Sequence, residues 1–334
     1  MSLTYKVLSA LLDQADTPIS GQTLANQLGV SRNSIWKVIE QLKAEGYQIT
    51  SIPSQGYQLK RISPMLDPNQ IMYLVQDHLP DLSIIYADWV TSTNDLAKSH
   101  LIEHPKQTAL FISNHQSKGR GRQGRSFHSD IQEGIYFSLA LPSQTYSIES
   151  IGLFTIMAAV AMAKALEKNT EIAIKIKWVN DLFAGGRKVV GILTEANANL
   201  ENQQIDAVIL GIGINVVGDF SKLDPDTQKV AGPLFPHPES AHFNRNHLLS
   251  DFLLNFYSYL HVLPARPFIE EYRTYLLGLN QKVCFTKNQE KRQGIILGIN
   301  QDGHLLIQNE VQEIESLNSS EIHFSSQAFI NQTN

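Results

Sequence analysis

The chain has 334 residues, 43% of them apolar, which is enough for two or three domains with real cores and excludes a disordered chain. Its single cysteine, Cys284, excludes an internal disulfide, a Cys-rich zinc module and a CxxC redox pair, and fits a reducing compartment such as the cytoplasm. A formal net charge of −5 argues on its own against nucleic acid, but residues 1–63 hold six cations and four carboxylates, net +2, which leaves −7 for the rest. A small basic head on an acidic body suits a DNA-reading module joined to something else.

The N-terminus lacks a basic region ahead of an apolar run and a small-residue cleavage site, so it reads as part of the fold rather than an export signal. Tyr5 to Leu12 has helical spacing, and Gly21 opens a second short helix with Leu24 and Leu28 on one face, ended by Gly29-Val30. Ser31 is a good N-cap for a third helix with the stripe Ile35, Val38, Ile39 and Leu42. Arg32, Asn33, Ser34 and Lys37 gather at its first turns, largely off that stripe, as the reading end of a helix-turn-helix over Gly21 to Glu40 requires. Two short strands around the turn Pro53 to Gly56 complete a winged helix-turn-helix over 1–63, with Ser31, Arg32, Asn33, Ser34 and Lys37 as its DNA-contacting residues. So few base contacts per domain imply two copies on DNA. Pro64 stops the wing strand, and Asp67-Pro68 caps the first helix of a second domain, 64–276.

Thr91 to Asp95 has capping-box spacing between Ser92 and Asp95, and its hydroxyls and amide suit a small polar ring equally well. The loop Lys118 to Arg125 contains GxGxxG at Gly119, Gly121 and Gly124, yet strands precede and follow it, so no dinucleotide helix starts there. Four cations and three glycines in eight residues make it an anion clamp instead. The longest apolar stretch, Ile151 to Ala163, is short of the roughly 20 residues that cross a bilayer and reads as a buried helix, with no membrane partner. Ile172 to Trp178 alternates as a half-buried strand that carries Lys177 to its exit, where an ammonium either meets a carboxylate or phosphate or is simply solvated. Ile209 to Asn215 is a strand whose glycines admit close approach of a backbone or ligand. Lys282 to Thr286, Gln293 to Ile299 and His304 to Gln308, with a tight turn at Asp302-Gly303, are short strands of a third domain, 277–334.

In order, the motifs are STN at Ser92 to Asn94, QxxGRGRxGR from Gln116 to Arg125, KWxND from Lys177 to Asp181, RKxxGILxE from Arg187 to Glu195 and GxGxN from Gly211 to Asn215. This set resembles the biotin protein ligases and, with the N-terminal reader, their bifunctional bacterial form that also represses the biotin operon. The resemblance runs over essentially the whole chain. It implies an α+β architecture in which a central domain of the class II aminoacyl-tRNA synthetase and lipoate ligase fold is followed by an SH3-like β-barrel that helps to close the nucleotide site.

The resemblance also implies roles. Ser92, Thr93 and Gln116 bind the ureido ring of biotin and Asn94 shapes that pocket. Arg120, Gly121 and Arg122 wrap the valeryl chain and phosphate, Lys177 holds the carboxylate and α-phosphate, and Gly119, Arg122, Phe127, Asn180 and Asn215 line the nucleotide side. Lys177 and Arg122 are the catalytic pair, and the magnesium ligands are not identified beyond acidic groups near Asp181. Biotin and MgATP give biotinyl-5′-AMP, which is held until a lysine of the biotin carboxyl carrier protein of acetyl-CoA carboxylase displaces AMP. The adenylate also acts as corepressor of a homodimer on biotin operator DNA. Two departures are Val179 in place of the usual proline and Phe127 in place of a frequent tryptophan, both apolar, which predicts altered affinity with activity kept. Three alternatives stay open: a lipoate ligase, whose own glycine-arginine signature is missing, a biotin sensor that has lost transfer, and a ligase with a vestigial reader.

Overall fold

A computed structural model describes residues 2–124, 127, 134–142, 146–199, 204–237, 243–287, 290–319 and 322–324. The chain divides into two compact units, one of residues 1–80 and 243–250 and one of 81–242 and 251–334.

In the first unit, α1 (Leu3–Asp13), α2 (Gly21–Leu28) and α3 (Arg32–Ala44) bury Val7, Leu8, Leu11, Leu24, Ile35, Ile39 and Leu42 in one core. Each helix begins on a serine that satisfies orphan backbone N–H groups: Ser2 for α1, Ser20 for α2 and Ser31 for α3. Gly29 ends α2 in the left-handed region, where a side chain is strained, and so sets the turn into α3. The wing is the antiparallel pair β1 (Gln48–Ile52) and β2 (Gly56–Arg61). Beyond the head, α4 (Pro68–Val75) starts on Asp67, whose carboxylate accepts from Asn69 N at 2.8 Å and from the Tyr47 hydroxyl at 2.5 Å. Burial and the Asp67 carboxylate push the Tyr47 phenol upward. Fully buried Asn246 accepts from Asp67 N at 2.8 Å and donates to Met65 O at 2.8 Å and Gln70 Oε1 at 2.6 Å, which ties residues 243–250 into this unit.

The second unit is built on a seven-stranded sheet. Its strands are β3 (Ser83–Tyr86), β5 (Ala109–Ser113), β7 (Ile135–Pro142), β8 (Lys175–Lys177), β9 (Asp181–Ala184), β10 (Arg187–Asn199) and β11 (Gln204–Ile214), in the order β3-β5-β7-β11-β10-β9-β8. Only β3 and β5 are parallel; every other pair is antiparallel. Helix α5 (Thr93–Glu103) buries Ala97 and Leu101 against Ala109, Phe111, Ala140 and Ile209 of the sheet. Helix α6 (Ile151–Thr170) carries the long apolar stretch, and Leu153 to Ala163 are all buried. Among the described residues, 148–170 is long and apolar enough to span a bilayer by length and composition, but it is the core helix of this unit.

Strand β8 is shorter than the alternation predicts. Ile172 and Ile174 precede it, and although Lys175 at its start is exposed, Lys177 at its end is buried together with the Trp178-Val179 segment that follows. Helices α7 (Pro225–Val230), α8 (Arg245–His261) and α9 (Phe268–Tyr275) follow. A five-stranded antiparallel sheet ends the chain, with β12 (Lys282–Lys287), β13 (Glu290–Ile299), β14 (Leu305–Asn309), β15 (Ile314–Leu317) and β16 (Ile322–Phe324) in the order β15-β14-β13-β12-β16. Trp178 Nε1 donates to Gly303 O at 2.9 Å, so a turn of this last sheet holds the tryptophan next to Lys177.

Candidate active site

A two-strand parallel ribbon, β4 (Trp89–Val90) and β6 (His115–Gln116), brings the STN segment beside the glycine-arginine loop. Its ladder continues as Lys118 N donates to Thr91 O at 2.8 Å, and the loop closes at its base where Phe127 N donates to Gly119 O at 2.9 Å. Arg125 of the motif lies outside the described residues.

Ser92 is the N-cap of α5 but makes no capping hydrogen bond with its side chain, and Asp95 pairs with Arg120 instead of closing a capping box. The polar groups are thus spent on a pocket. Gln116 Oε1 accepts from Thr93 N at 2.8 Å and from Thr93 Oγ1 at 3.2 Å, while Asn94 Nδ2 donates to Glu195 Oε2 at 2.7 Å. Lys98 Nζ donates to Glu195 Oε1 at 2.7 Å. Burial raises the Glu195 carboxyl, but the bonds from Lys98 and Asn94 and the charges of Lys98 and Arg120 outweigh it and leave the group below the usual carboxylate range.

Thr93, Asn94 and Gln116 stand at a cleft that opens to solvent, a concave site of the kind that binds small molecules. Ser92, Thr93, Asn94, Gln116, Arg120, Gly121, Arg122, Phe127 and Asn180, all singled out from sequence, stand in its wall. Gly119, Lys177 and Asn215 do not. Lys177 is buried at the end of β8, in register with Asp181 of β9. Asn215 is buried at the end of β11, where its Nδ2 donates to Gly232 O at 3.4 Å and its Oδ1 has no partner among the described residues.

Sequence reasoning gave no site role to Lys188, Gly191, Ile192, Leu193 and Ile212 of the wall, whereas the close approach it expected at the glycines of Ile209 to Asn215 is found at Gly211 and Gly213. Gly191 and Gly213 face each other across β10 and β11, and a Cβ on either would lie 2.9 Å or 2.6 Å from the Phe127 ring. The bare backbone at this cross-strand pair is what lets the ring lie on the sheet. At Gly211 a Cβ would sit 2.1 Å from Asn94 Oδ1, so this glycine makes room for the amide. The period of two between Gly211 and Gly213 signals a shared strand face, but the partner strand and register are needed to find what lies on it.

The two wall arginines are held differently. Arg120 pairs with Asp95 near the surface, whereas half-buried Arg122 bonds to neutral acceptors: Asn180 Oδ1 at 3.3 Å, Ser319 O at 3.3 Å and Ser319 Oγ at 3.1 Å. Burial lowers the Arg122 guanidinium from its ordinary value although the nearby Asp181 charge works against this. Asp181 itself pairs with Lys188 at 2.7 Å. A partly dehydrated guanidinium on neutral acceptors is a strong attractor for an anion. Among the described residues, no three His, Cys, Asp or Glu side chains are grouped to hold a metal.

In the first unit, Arg32, Asn33 and Lys37 are exposed on the first turns of α3, and Ser31 Oγ accepts from Ser34 N at 3.1 Å. Trp36, unmarked by the sequence reading, stands between them at 50% exposure, off the buried stripe.

A model of the biotin/lipoate A/B protein ligase family matches residues 86–215, a helix-turn-helix model matches 5–58, and a biotin protein ligase C-terminal domain model matches 278–325. The chain is 31% identical to the bifunctional ligase/repressor BirA of Bacillus subtilis over 328 residues, 96% of this chain and 98% of that protein. This chain belongs to the bifunctional ligase/repressor family. The BirA of Escherichia coli is 31% identical over 199 residues, 59% of each protein. Among solved structures, the biotin protein ligase of Aquifex aeolicus in complex with biotin and ATP superimposes with a TM-score of 0.59 at 26% identity, covering 73% of this chain and 99% of that one. The family's helix-turn-helix falls on α1 to β2, its ligase match on β4 through β11 and its C-terminal domain on the last sheet, which bears out the expected α+β architecture.

Proposed function

We propose that the pocket activates biotin and that the family's two activities operate here as follows. The carboxylate of biotin attacks the α-phosphorus of MgATP, its C–O–P bond forms as the bond to the leaving pyrophosphate breaks, and biotinyl-5′-AMP results. A lysine amine of the biotin carboxyl carrier protein of acetyl-CoA carboxylase then attacks the acyl carbon, forming the amide and expelling AMP. The ring rests on Ser92, Thr93 and Gln116 beside Asn94. Arg120, Gly121 and Arg122 follow the acid chain, and Gly119, Phe127, Asn180 and Asn215 serve the nucleotide. Magnesium arrives with ATP as part of the substrate.

The single observation that carries this reading is Arg122, a half-buried cation with neutral partners on the wall of a pocket whose other end is a dense array of polar side chains. The first step joins two anions, and Arg122 with the buried Lys177 offsets their repulsion as charge moves to pyrophosphate. No nucleophilic side chain is needed; orientation and charge do the work. The match of the last domain to the biotin protein ligase C-terminal domain favours biotin over lipoate. Retained adenylate favours a homodimer whose two heads, through Ser31, Arg32, Asn33, Ser34 and Lys37 on the helix-turn-helix, grip paired operator half-sites in the cytoplasm.

Purified protein with biotin and radiolabelled ATP should release pyrophosphate and accumulate biotinyl-5′-AMP. Turnover with lipoate and none with biotin would contradict the assignment. Gel shifts on biotin operator DNA should strengthen when the adenylate is present; binding indifferent to it would remove the corepressor role.

A further inference from the structure

Behind the pocket wall lies Ser138 of β7, fully buried and paired in register with Gly211. Its Oγ is 2.5 Å from Asn94 Oδ1 and 2.7 Å from Thr93 Oγ1. Neither Ser138 nor Glu195 was marked from sequence as a site residue. We infer that Ser138 and Glu195 are positioning residues that orient the Asn94 amide and the Thr93 hydroxyl at the ring end of the pocket, so that Thr93 meets the ligand as an acceptor. The inference rests on the biotin reading above.

The polarity follows step by step. A carboxylate only accepts, so Asn94 must turn its amide nitrogen to Glu195, where Nδ2 lies 2.7 Å from Oε2. Asn94 Oδ1 therefore faces Ser138 and, accepting only, takes the one hydroxyl proton of that serine. Ser138 then has no proton for Thr93. Thr93 must give its own, to Ser138 Oγ at 2.7 Å or to Gln116 Oε1 at 3.2 Å. In both cases the free valence of Thr93 Oγ1 is lone pair. Lys98, 2.7 Å from the other carboxylate oxygen, keeps Glu195 ionised and so holds the first member of the chain in its accepting form. A ligand ring with an N–H at this wall is matched. One carrying oxygen or N-methyl there sets lone pair against lone pair or loses the contact, the kind of mismatch a polar site rejects most strongly.

The test is the kinetics of adenylate formation with biotin and with biotin methylated on a ureido nitrogen, in wild type, Ser138→Ala and Glu195→Gln. Wild type should discriminate strongly against the methylated ring. Each variant should raise KM for biotin about tenfold, with kcat within about twofold, and should narrow the discrimination. Glu195→Gln, at a half-exposed position, covers the case in which Ser138→Ala does not fold. Lys98→Met should leave discrimination intact at neutral pH and move the acid-side rise in KM to higher pH. The other groups facing Glu195 are Asn94 and Arg120, the latter engaged by Asp95. Unchanged KM and discrimination in both Ser138→Ala and Glu195→Gln would overturn the inference while leaving biotin activation standing. Failure of wild type to adenylate biotin would overturn the reaction itself, and this inference with it.

Discussion

The reading residues of α3 come from one run, Ser31 to Lys37, whereas the wall of the pocket draws on residues from Ser92 to Gly213 in several strands, a helix and a loop. In the head, one N-cap and one helical stripe fix which side chains point outward, so local chemistry and function coincide. In the ligase unit the same side chains acquire meaning only through strand register, as when Gly191 and Gly213 meet under Phe127 or when Arg122 meets Ser319 almost two hundred residues on. A substitution in the head should therefore act through one contact, and one in the pocket through its neighbours.

The contrast is sharpest at the cations of the reaction. Lys177→Ala or Arg122→Ala should lower the rate of adenylate formation about 10²- to 10³-fold, the effect of losing one preorganised partner to developing charge. Binding of nonspecific DNA should be untouched, and a parallel loss of both activities would break the division. Next in size is Gly213→Ala, whose Cβ would lie 2.6 Å from the Phe127 ring. Displacing that ring should raise KM for ATP about tenfold, read by pyrophosphate release, with KM for biotin nearly constant.

In the head, Lys37→Ala should weaken DNA binding uniformly across sequences and reduce the slope of log affinity against log salt by about one, as for a single lost phosphate contact. Arg32→Ala should instead relax discrimination among operator variants, as for a side chain that contacts a base edge. Adenylate formation should be the same in both. The smallest effect concerns pH. The Glu195 carboxyl is held below its ordinary range, so its contribution to stability is fully present above that range and is lost as pH falls through the lowered value. Melting temperatures of wild type and Glu195→Gln should differ at neutral pH and converge in acid; a gap that persists would contradict the sign.

The same contrast explains how much could be read beforehand. Ser31 with Ile35, Val38, Ile39 and Leu42 defined the reading helix from spacing alone, and the outward position of Arg32 and Lys37 followed. Trp36 escaped notice because a tryptophan beside an apolar stripe reads as core until the helix face is seen. In the ligase unit, motif identity supplied Ser92 to Asn94, Gln116 and the two arginines, and the fold gathers them around one cavity. Ser138 lies in no motif, and although Glu195, Gly191 and Gly213 do, the motifs do not say what they touch, since that depends on which strands are neighbours and in what register. The burial of Lys177 was likewise hidden, because alternation puts it on the same face as the exposed Lys175 and does not show where along the strand that face becomes covered.

The most direct test of the central claim is a crystal structure of the protein with biotinyl-5′-AMP. The account predicts the ureido ring against Thr93 and Gln116, the phosphate within hydrogen-bond reach of Arg122, and the adenine on the Phe127 side of the cavity. An adenylate seated away from Arg122 and the Thr93 wall would contradict it.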